Sequence, residues 1–236
     1  MIDGAPFRAA LFNHGALATV CGESPVLTRS LRDAMIVLHP AQTDRGEVSV
    51  VLHSQDNTVG YYRDGLLQAL IDAQSRNLAG YVAAGVTRIF ERGAERVLGL
   101  GHGGAAASTL LHRLGIELTS VDVDPLAERL GQLFFRAPPA LFVVTAEAAA
   151  FVTTSAANDF GAIFVDFQDS TNPPADDFSA GFWRQVDRVM RPEGQVIINI
   201  TNYLWDGPDW PGCVEAISAT GLNSVPLPTS TTPGAS

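Results

Sequence analysis

The stretch Val97–Gly104, which reads VLGLGHGG, constrains the fold of this chain more than any other segment. An apolar run typical of a buried strand breaks into a glycine-rich turn, the helical stretch Ala105–Arg113 follows, and the next apolar run ends at Asp122. In α/β proteins this order holds a nucleoside, because glycines let the backbone approach the ligand and the acid accepts two ribose hydroxyls. A turn with only a structural role is the competing interpretation. The predicted cofactor-binding residues of this segment are Gly99, Gly101, His102, Gly103 and Asp122.

Strands and helices alternate regularly from residue 96 onward. Strands are predicted at 96–100, 117–122, 141–145, 162–166 and 195–200, with helices at 105–113, 125–134, 148–153 and 179–190 and a tight turn at 191–194. Near-continuous apolar strands separated by helices indicate a mostly parallel sheet with helices on both faces. We therefore predict a Rossmann-like α/β domain over residues 66–225, entered through a helix at 66–90.

The two ends of the chain have different patterns. Residues 1–65 predict a small, mainly β unit, with strands at 47–53 and 58–62 and turn residues at 55–57 between them. Residues 226–236 are rich in Pro, Ser, Thr and Gly, which is typical of a disordered tail. The sequence thus predicts a β unit, an α/β domain and a tail.

Composition excludes several classes of function. Of the 236 residues, 46% are hydrophobic and 17% are charged, which suits a globular protein with a substantial core. A net charge of −10 argues against a nucleic-acid partner, because phosphate binding requires a basic face. No apolar run reaches the roughly 20 residues of a membrane helix, and no secretory signal pattern is present. The two cysteines and five histidines lack metal-ligand spacing. We expect a cytoplasmic protein with no metal, membrane or nucleic-acid partner.

Further carboxylates follow the predicted strands, where ligands of an open parallel sheet bind. Glu147 either accepts a hydrogen bond from an adenine amino group or is an exposed acid at a helix N-terminus. Asp166 and Asp169 form a pair suited to binding an amine or taking a proton from a nucleophile, and the alternative is a turn cap with a solvent-facing acid. Asp124 is predicted to cap the helix that begins near Pro125.

These motifs, in this order, resemble those of the spermidine synthase family, the aminopropyltransferase branch of the class I S-adenosylmethionine-dependent transferase fold. The resemblance covers about residues 64–201. Asp64–Gln68 resembles the family's Asp-Gly-x-x-Gln, and Val121–Pro125 resembles its acid-x-Asp-Pro. Glu147 with Phe151 resembles its Asp-Gly-x-x-Phe segment, and Asp166–Asp169 resembles its catalytic Asp-Ser-x-Asp.

The resemblance implies a role for each matching residue. Asp122 would hold the ribose, Glu147 the adenine, and Gln68 would line the nucleoside pocket. Asp166 would deprotonate or orient the acceptor, with Asp169 assisting. The resemblance also implies a homo-oligomer, a dimer or a tetramer.

One departure from the family pattern bears on the cofactor. The family's aspartate that holds the amino group of decarboxylated S-adenosylmethionine falls here on His102 or Gly104, depending on the register. An ammonium without its counter-charge is costly in an apolar site. We therefore predict intact S-adenosylmethionine as the ligand and methyl transfer to a small-molecule acceptor, with His102 contacting the ligand's carboxylate or acting as a base.

Three alternatives remain open from the sequence. The first is a divergent aminopropyltransferase that uses decarboxylated S-adenosylmethionine and an amine acceptor. The second is a non-catalytic nucleoside-binding protein that kept the fold. The third is a nicotinamide-dependent oxidoreductase, which the glycine-rich turn and Asp122 alone would permit.

Overall fold

The computed structural model describes residues 35–43, 46–166 and 179–199, together with 215 and 217. These residues form two compact units. The described part of the first unit comprises residues 35–79, 103–106 and 126–139, and the second comprises 80–102, 107–125 and the described residues from 140 onward. The predicted tail at 226–236 and the first 34 residues lie outside the described residues. Within the described part, no helix is long and apolar enough to cross a membrane.

The first unit is built on a four-stranded antiparallel sheet. Its strands are β1 (Met35–Thr43), β2 (Gly46–His53), β3 (Thr58–Arg63) and β4 (Leu66–Ile71), adjacent in chain order. The strands predicted at 47–53 and 58–62 are confirmed as β2 and β3. The loop from β3 to β4 is Asp64-Gly65, with φ of 49° and 76°, the pair of positive φ angles that lets a two-residue hairpin follow the sheet's twist.

The helix predicted at 66–90 is wrong in its first part. Residues 66–71 form β4, which pairs with β3, and the helix α1 runs only from Gly80 to Glu91. Apolar residues in this segment fit a helical period, but the Asp64-Gly65 hairpin brings the chain back beside β3, and sheet pairing overrides the local pattern. The compact unit therefore extends past residue 65, to Ala79.

The second unit contains a five-stranded parallel sheet. Its strands are β5 (Arg96–Leu100), β6 (Glu117–Asp122), β7 (Phe142–Thr145), β8 (Phe160–Val165) and β9 (Met190–Ile198), arranged in the order β7-β6-β5-β8-β9. Every neighbouring pair is parallel. This confirms the predicted Rossmann-like α/β fold with a mainly β N-terminal unit. The strand order reverses at β5, and in open sheets of this kind a ligand is expected at the carboxyl ends of the strands beside the reversal, here β5, β6 and β8.

Four further helices complete the described elements: α2 (Ala106–Arg113), α3 (Ala127–Phe134), α4 (Ala148–Thr154) and α5 (Ala180–Val189). Each overlaps a predicted helix. In the second unit, α1 lies very close to the sheet, because a Cβ placed on Gly85 would meet the ring of Phe164 and the side chain of Ile197. Glycine at this position therefore permits the close approach of helix and sheet.

The last strand begins earlier than predicted. β9 starts at Met190, directly after α5, whereas the sequence predicts a tight turn at 191–194 and a strand from 195. Phe160 of β8 pairs with Met190, and Ala162 pairs with Gln195, so residues 191–194 form an irregularity within the strand. The Pro-Glu-Gly sequence therefore coincides with an interruption of the pairing between β8 and β9, but the chain does not reverse direction there.

Each unit has its own hydrophobic core. In the first, side chains of α3 and of Phe135, which follows it, pack with those of the antiparallel sheet: Val48, Val50, Leu52, Val59, Tyr61, Leu130, Phe134 and Phe135. In the second, the strand residues pack with those of α4 and α5: Leu98, Leu100, Val121, Val152, Ile163, Val165, Trp183 and Val186. The core of the second unit supports the central strands whose ends carry the candidate site.

Candidate active site

The central strands of the second unit end at one edge. The N–H of Gly101 donates to the carbonyl of Val121 (2.8 Å), and the N–H of Asp166 donates to the carbonyl of Leu100 (2.7 Å). These bonds continue the parallel ladder to the strand tips. As a result Asp122, at the end of β6, and Asp166, after β8, stand on either side of the glycine-rich loop that follows β5.

The loop after β5 has the backbone conformation that its glycines allow. Gly101 and Gly103 have φ of 97° and 46°, and Ala105 also has a positive φ of 59°. A Cβ on Gly103 would find no atom within 4 Å, so the backbone there is open. Gly99, by contrast, is buried within β5 and pairs with Ser120. Of the predicted glycines, Gly101 and Gly103 shape the loop, while Gly99 belongs to the strand.

Asp122 is held by main-chain donors. Its Oδ2 accepts the N–H of His102 at 2.8 Å, and its Oδ1 accepts the N–H of Asp124 at 2.8 Å. An ionised carboxylate offers about four acceptor sites in all. The half-buried Asp122 is thus oriented before any ligand arrives.

The ring of His102 is directed into the protein. The residue is 6% exposed, and its Nδ1 lies 3.1 Å from Oγ of Ser108 and 3.1 Å from Oγ of Ser120. Burial lowers the pKa of His102 to about 4, against the opposing effect of the Asp122 charge. The ring is therefore neutral near pH 7. The base role and the carboxylate contact stay predictions, and this low pKa counts against the base role.

Asp166 has two side-chain donors. Its Oδ1 accepts Nδ2 of Asn199 at 2.8 Å, and its Oδ2 accepts the hydroxyl of Tyr81 at 3.2 Å. Burial raises the pKa of Asp166 to about 6; the two hydrogen bonds act in the opposite direction, and the charge of Asp122 adds to the rise. Burial and the Asp166 charge raise the pKa of Tyr81, so its phenol remains a donor. A carboxylate with this pKa is suited to accept a proton near neutral pH.

Sequence reasoning missed both partners of Asp166. Tyr81 lies in the first turn of α1, and in the sequence it matches the apolar period of the helix predicted at 66–90, so the pattern gives it no functional role. Asn199 follows β9 directly, and its N–H donates to the carbonyl of Val165. The predicted strand at 195–200 places Asn199 inside the strand, whereas β9 ends at Ile198, so Asn199 stands at the strand tip where ligands of a parallel sheet bind.

Two other predicted residues occupy different surroundings. Glu147 is exposed at the N-cap of α4, and its side chain makes no capping bond. The preceding N–H, of Ala146, donates to the carbonyl of Asp122, so Glu147 follows a strand at the same edge of the sheet. Gln68 lies in β4 of the first unit, at a β-bulge. Its neighbours Leu67 and Ala69 pair with the consecutive residues Tyr62 and Tyr61 of β3, so Gln68 is the extra residue of the bulge. The adenine and pocket roles stay predictions, and Asp169 lies outside the described residues.

The helix that follows Asp124 begins later than predicted. Helix α3 starts at Ala127 with Leu126 as its N-cap residue, whose side chain makes no capping bond. Asp124 is 2% exposed, and its capping role stays a prediction. Among the described residues, no group of three or more His, Cys, Asp or Glu side chains is arranged to hold a metal ion.

Comparison with known proteins identifies the fold. No family model matches the chain, and no curated protein matches it in sequence. A solved spermidine synthase in complex with the transition-state analogue AdoDATO matches with a TM-score of 0.64 and 16% identity, over 78% of this chain and 64% of that one. The spermidine synthase from Thermotoga maritima matches with a TM-score of 0.63 and 17% identity, over 78% and 64%. A probable spermidine synthase from Corynebacterium glutamicum matches with a TM-score of 0.64 and 15% identity, over 75% of this chain and 70% of that one.

The fold is spermidine synthase-like. This confirms the resemblance drawn from the motifs at the level of the fold, which is what a likeness at such identities establishes. The chain spans less than two thirds of the length of the first two of these structures.

Proposed function

We propose that this protein is an S-adenosylmethionine-dependent transferase that moves a methyl group to a small-molecule acceptor. The observation that carries the proposal is the pair Asp122 and Asp166 at the tips of β6 and β8, on either side of the loop after β5. One carboxylate is suited to a ribose, and the other, with a pKa of about 6, is suited to a proton.

The donor set fits the nucleoside part of this cofactor. A preoriented carboxylate beside an open glycine backbone is what a ribose and the adjoining chain require. The cofactor supplies a methyl carbon activated by a positively charged sulfur. Asp122 would accept the two ribose hydroxyls, and Gly103 would leave room for the ligand to approach the backbone.

Asp166 would then act on the acceptor. At neutral pH most of a carboxyl group with a pKa of about 6 is ionised and able to take a proton from an incoming nucleophile. Tyr81 and Asn199 would hold its two oxygens in a fixed direction. The rest of the catalysis is alignment of nucleophile and methyl carbon, which a rigid site supplies without further chemistry.

Methyl transfer is favoured over aminopropyl transfer by the chemistry of the loop. A decarboxylated cofactor ends in an ammonium, which needs a counter-charge. The loop offers His102, whose ring is buried and neutral, and glycines. Intact S-adenosylmethionine carries its own carboxylate beside its amino group and is less dependent on a protein acid.

Aminopropyl transfer to an amine is the second candidate. Three observations favour it. The solved spermidine synthases share this fold, and Asp166 with Tyr81 forms a carboxylate–phenol pair that could receive a proton from an amine. The net charge of −10 also suits a cationic acceptor.

Calorimetric titration with S-adenosylmethionine and with its decarboxylated form, side by side, tests the proposal. We expect the intact cofactor to bind at least about tenfold more tightly than the decarboxylated form, which is a difference in binding free energy of about 1.4 kcal/mol. Tighter binding of the decarboxylated form would favour aminopropyl transfer, and amines would then be tested as acceptors. Binding of neither compound would overturn both candidates.

A further inference from the structure

A cluster of three buried polar side chains lies beside the glycine-rich loop and has no part in the proposed chemistry. We call His102, Ser108 and Ser120 the His–Ser–Ser cluster; they are 6%, 4% and 0% exposed. The two serine oxygens lie 3.3 Å apart, and each lies 3.1 Å from Nδ1 of the histidine. The three atoms therefore form a closed triangle of hydrogen-bonding groups.

The cluster joins three consecutive parts of the chain. His102 belongs to the loop after β5, Ser108 to the first turn of α2, and Ser120 to β6. In the sheet, Ser120 pairs with Gly99 of β5, so the serine is fixed by the strand ladder. The ring is thus held by a helix and by a strand at once.

The same histidine holds Asp122 through its main chain. Its N–H donates to Oδ2 of that carboxylate at 2.8 Å. The residues on both sides, Gly101 and Gly103, have positive φ angles of 97° and 46° and have no side chains to limit their rotation. Without an anchor, a residue between two such glycines would have wide freedom, and so would the direction of its N–H.

Only one of the two nitrogens of the His102 ring is hydrogen-bonded to the described residues. Its Nε2 is buried and has no hydrogen-bond partner among the described residues. A buried polar atom without a partner is unfavourable, and an apolar side chain of similar size would avoid that cost. Within the described part of the chain, the hydrogen bonds of the ring are therefore all made through Nδ1, to Ser108 and Ser120, and these bonds anchor the loop at this residue.

We infer that His102 is a positioning residue for ribose recognition: its ring, anchored by Ser108 and Ser120, directs the loop N–H that orients Asp122. The inference rests on the proposed function only in taking a nucleoside as the ligand. In this inference the side chain of His102 points away from the ligand, and its backbone N–H makes the contact with Asp122.

The test uses the full chain and two ligands, S-adenosylhomocysteine and its 2′-deoxy analogue. The ratio of their affinities measures recognition of the ribose diol. We expect His102→Leu to weaken S-adenosylhomocysteine binding about tenfold and to bring the ratio close to one. His102→Asn, whose amide can take the place of Nδ1, should restore binding to within about threefold of wild type. The control is His112→Leu, at an exposed position of α2, which should leave both affinities unchanged.

The outcomes separate this inference from the proposed function. Suppose that the wild type binds S-adenosylhomocysteine and that His102→Leu binds it with the same affinity and the same ratio to the 2′-deoxy analogue. The inference is then overturned and the proposed function stands. Equal losses in His102→Leu and His102→Asn would also overturn it. If His102→Leu does not fold, the double variant Ser108→Ala/Ser120→Ala removes both anchors and should lower the ratio in the same way; an unchanged ratio counts against the inference. A wild type that binds neither ligand overturns both.

Discussion

Two carboxylates flank the loop after β5, and they are held by different kinds of donor. Asp122 accepts two main-chain N–H groups, from His102 and Asp124. Asp166 accepts two side-chain donors, from Tyr81 and Asn199. Main-chain donors are present whatever the side chains are, whereas side-chain donors disappear with a single substitution.

The difference separates a binding half of the site from a reactive half. The orientation of Asp122 follows from the path of the backbone, so it changes only with substitutions that move the loop, such as those at His102. The proton affinity of Asp166 is a balance in which burial raises the pKa and two hydrogen bonds lower it. This balance can be changed one side chain at a time, so the two halves are separable by mutation.

The largest effect is expected from Asp166→Asn. The amide cannot take a proton, so turnover should fall about a hundredfold or more, while the affinity for S-adenosylhomocysteine should stay within about threefold of wild type. Asp187→Asn, at an exposed position of α5, is the matched control and should change neither. Unchanged turnover in Asp166→Asn would remove this residue from the reactive half.

A smaller effect, on binding, is expected from Asp122→Asn. The variant loses the charge and presents its amide NH₂ to one of the two N–H donors, so we expect S-adenosylhomocysteine binding to weaken about ten- to a hundredfold, as measured by calorimetry. Turnover at saturating cofactor should fall much less than affinity. A fall in turnover with unaltered affinity would reverse the assignment of the two halves.

Loss of one donor to Asp166 should shift a pH profile. The Tyr81 hydrogen bond lowers the pKa of Asp166, so Tyr81→Phe should move the acid limb of the kcat/KM profile, found near pH 6 in the wild type, to higher pH. Turnover at pH 8 should change by less than about threefold, because the carboxylate remains ionised there. Tyr62→Phe, in β3, serves as the comparison and should leave the profile in place. An unmoved limb in Tyr81→Phe would mean that another group controls it.

The smallest expected effect is on thermal stability. Because the folded pKa of Asp166 is raised, proton binding favours the folded state; this contribution is complete below the unfolded pKa of about 4 and is lost as pH rises through about 6. Asp166→Asn should therefore melt at a higher temperature than wild type at pH 8, by a few degrees, and the difference should shrink towards pH 4. Since His102 is present in both proteins, its own titration cancels in this difference. A difference independent of pH would contradict the raised pKa.

Most of the α/β unit could be predicted from the sequence, because its strands are apolar runs bounded by glycines and acids. The predicted bounds of β5 and β6 match those observed. Errors arose where the strand structure overrode a helical or turn pattern in the sequence. Residues 66–71 carry a helical period yet pair with β3, and residues 191–194 carry a turn signal yet remain within β9.

The sequence by itself determined the Rossmann-like order of elements, the glycine-rich loop and the position of Asp122 at a strand tip. These features depend on short stretches and on the regular geometry of a parallel βαβ unit. Only the tertiary structure decided which side chains meet Asp166. Tyr81 and Asn199 lie 85 and 33 residues away along the chain, and the strand order brings their elements together. It also decided that the ring of His102 faces inward, because burial against Ser108 and Ser120 depends on packing that no local pattern encodes.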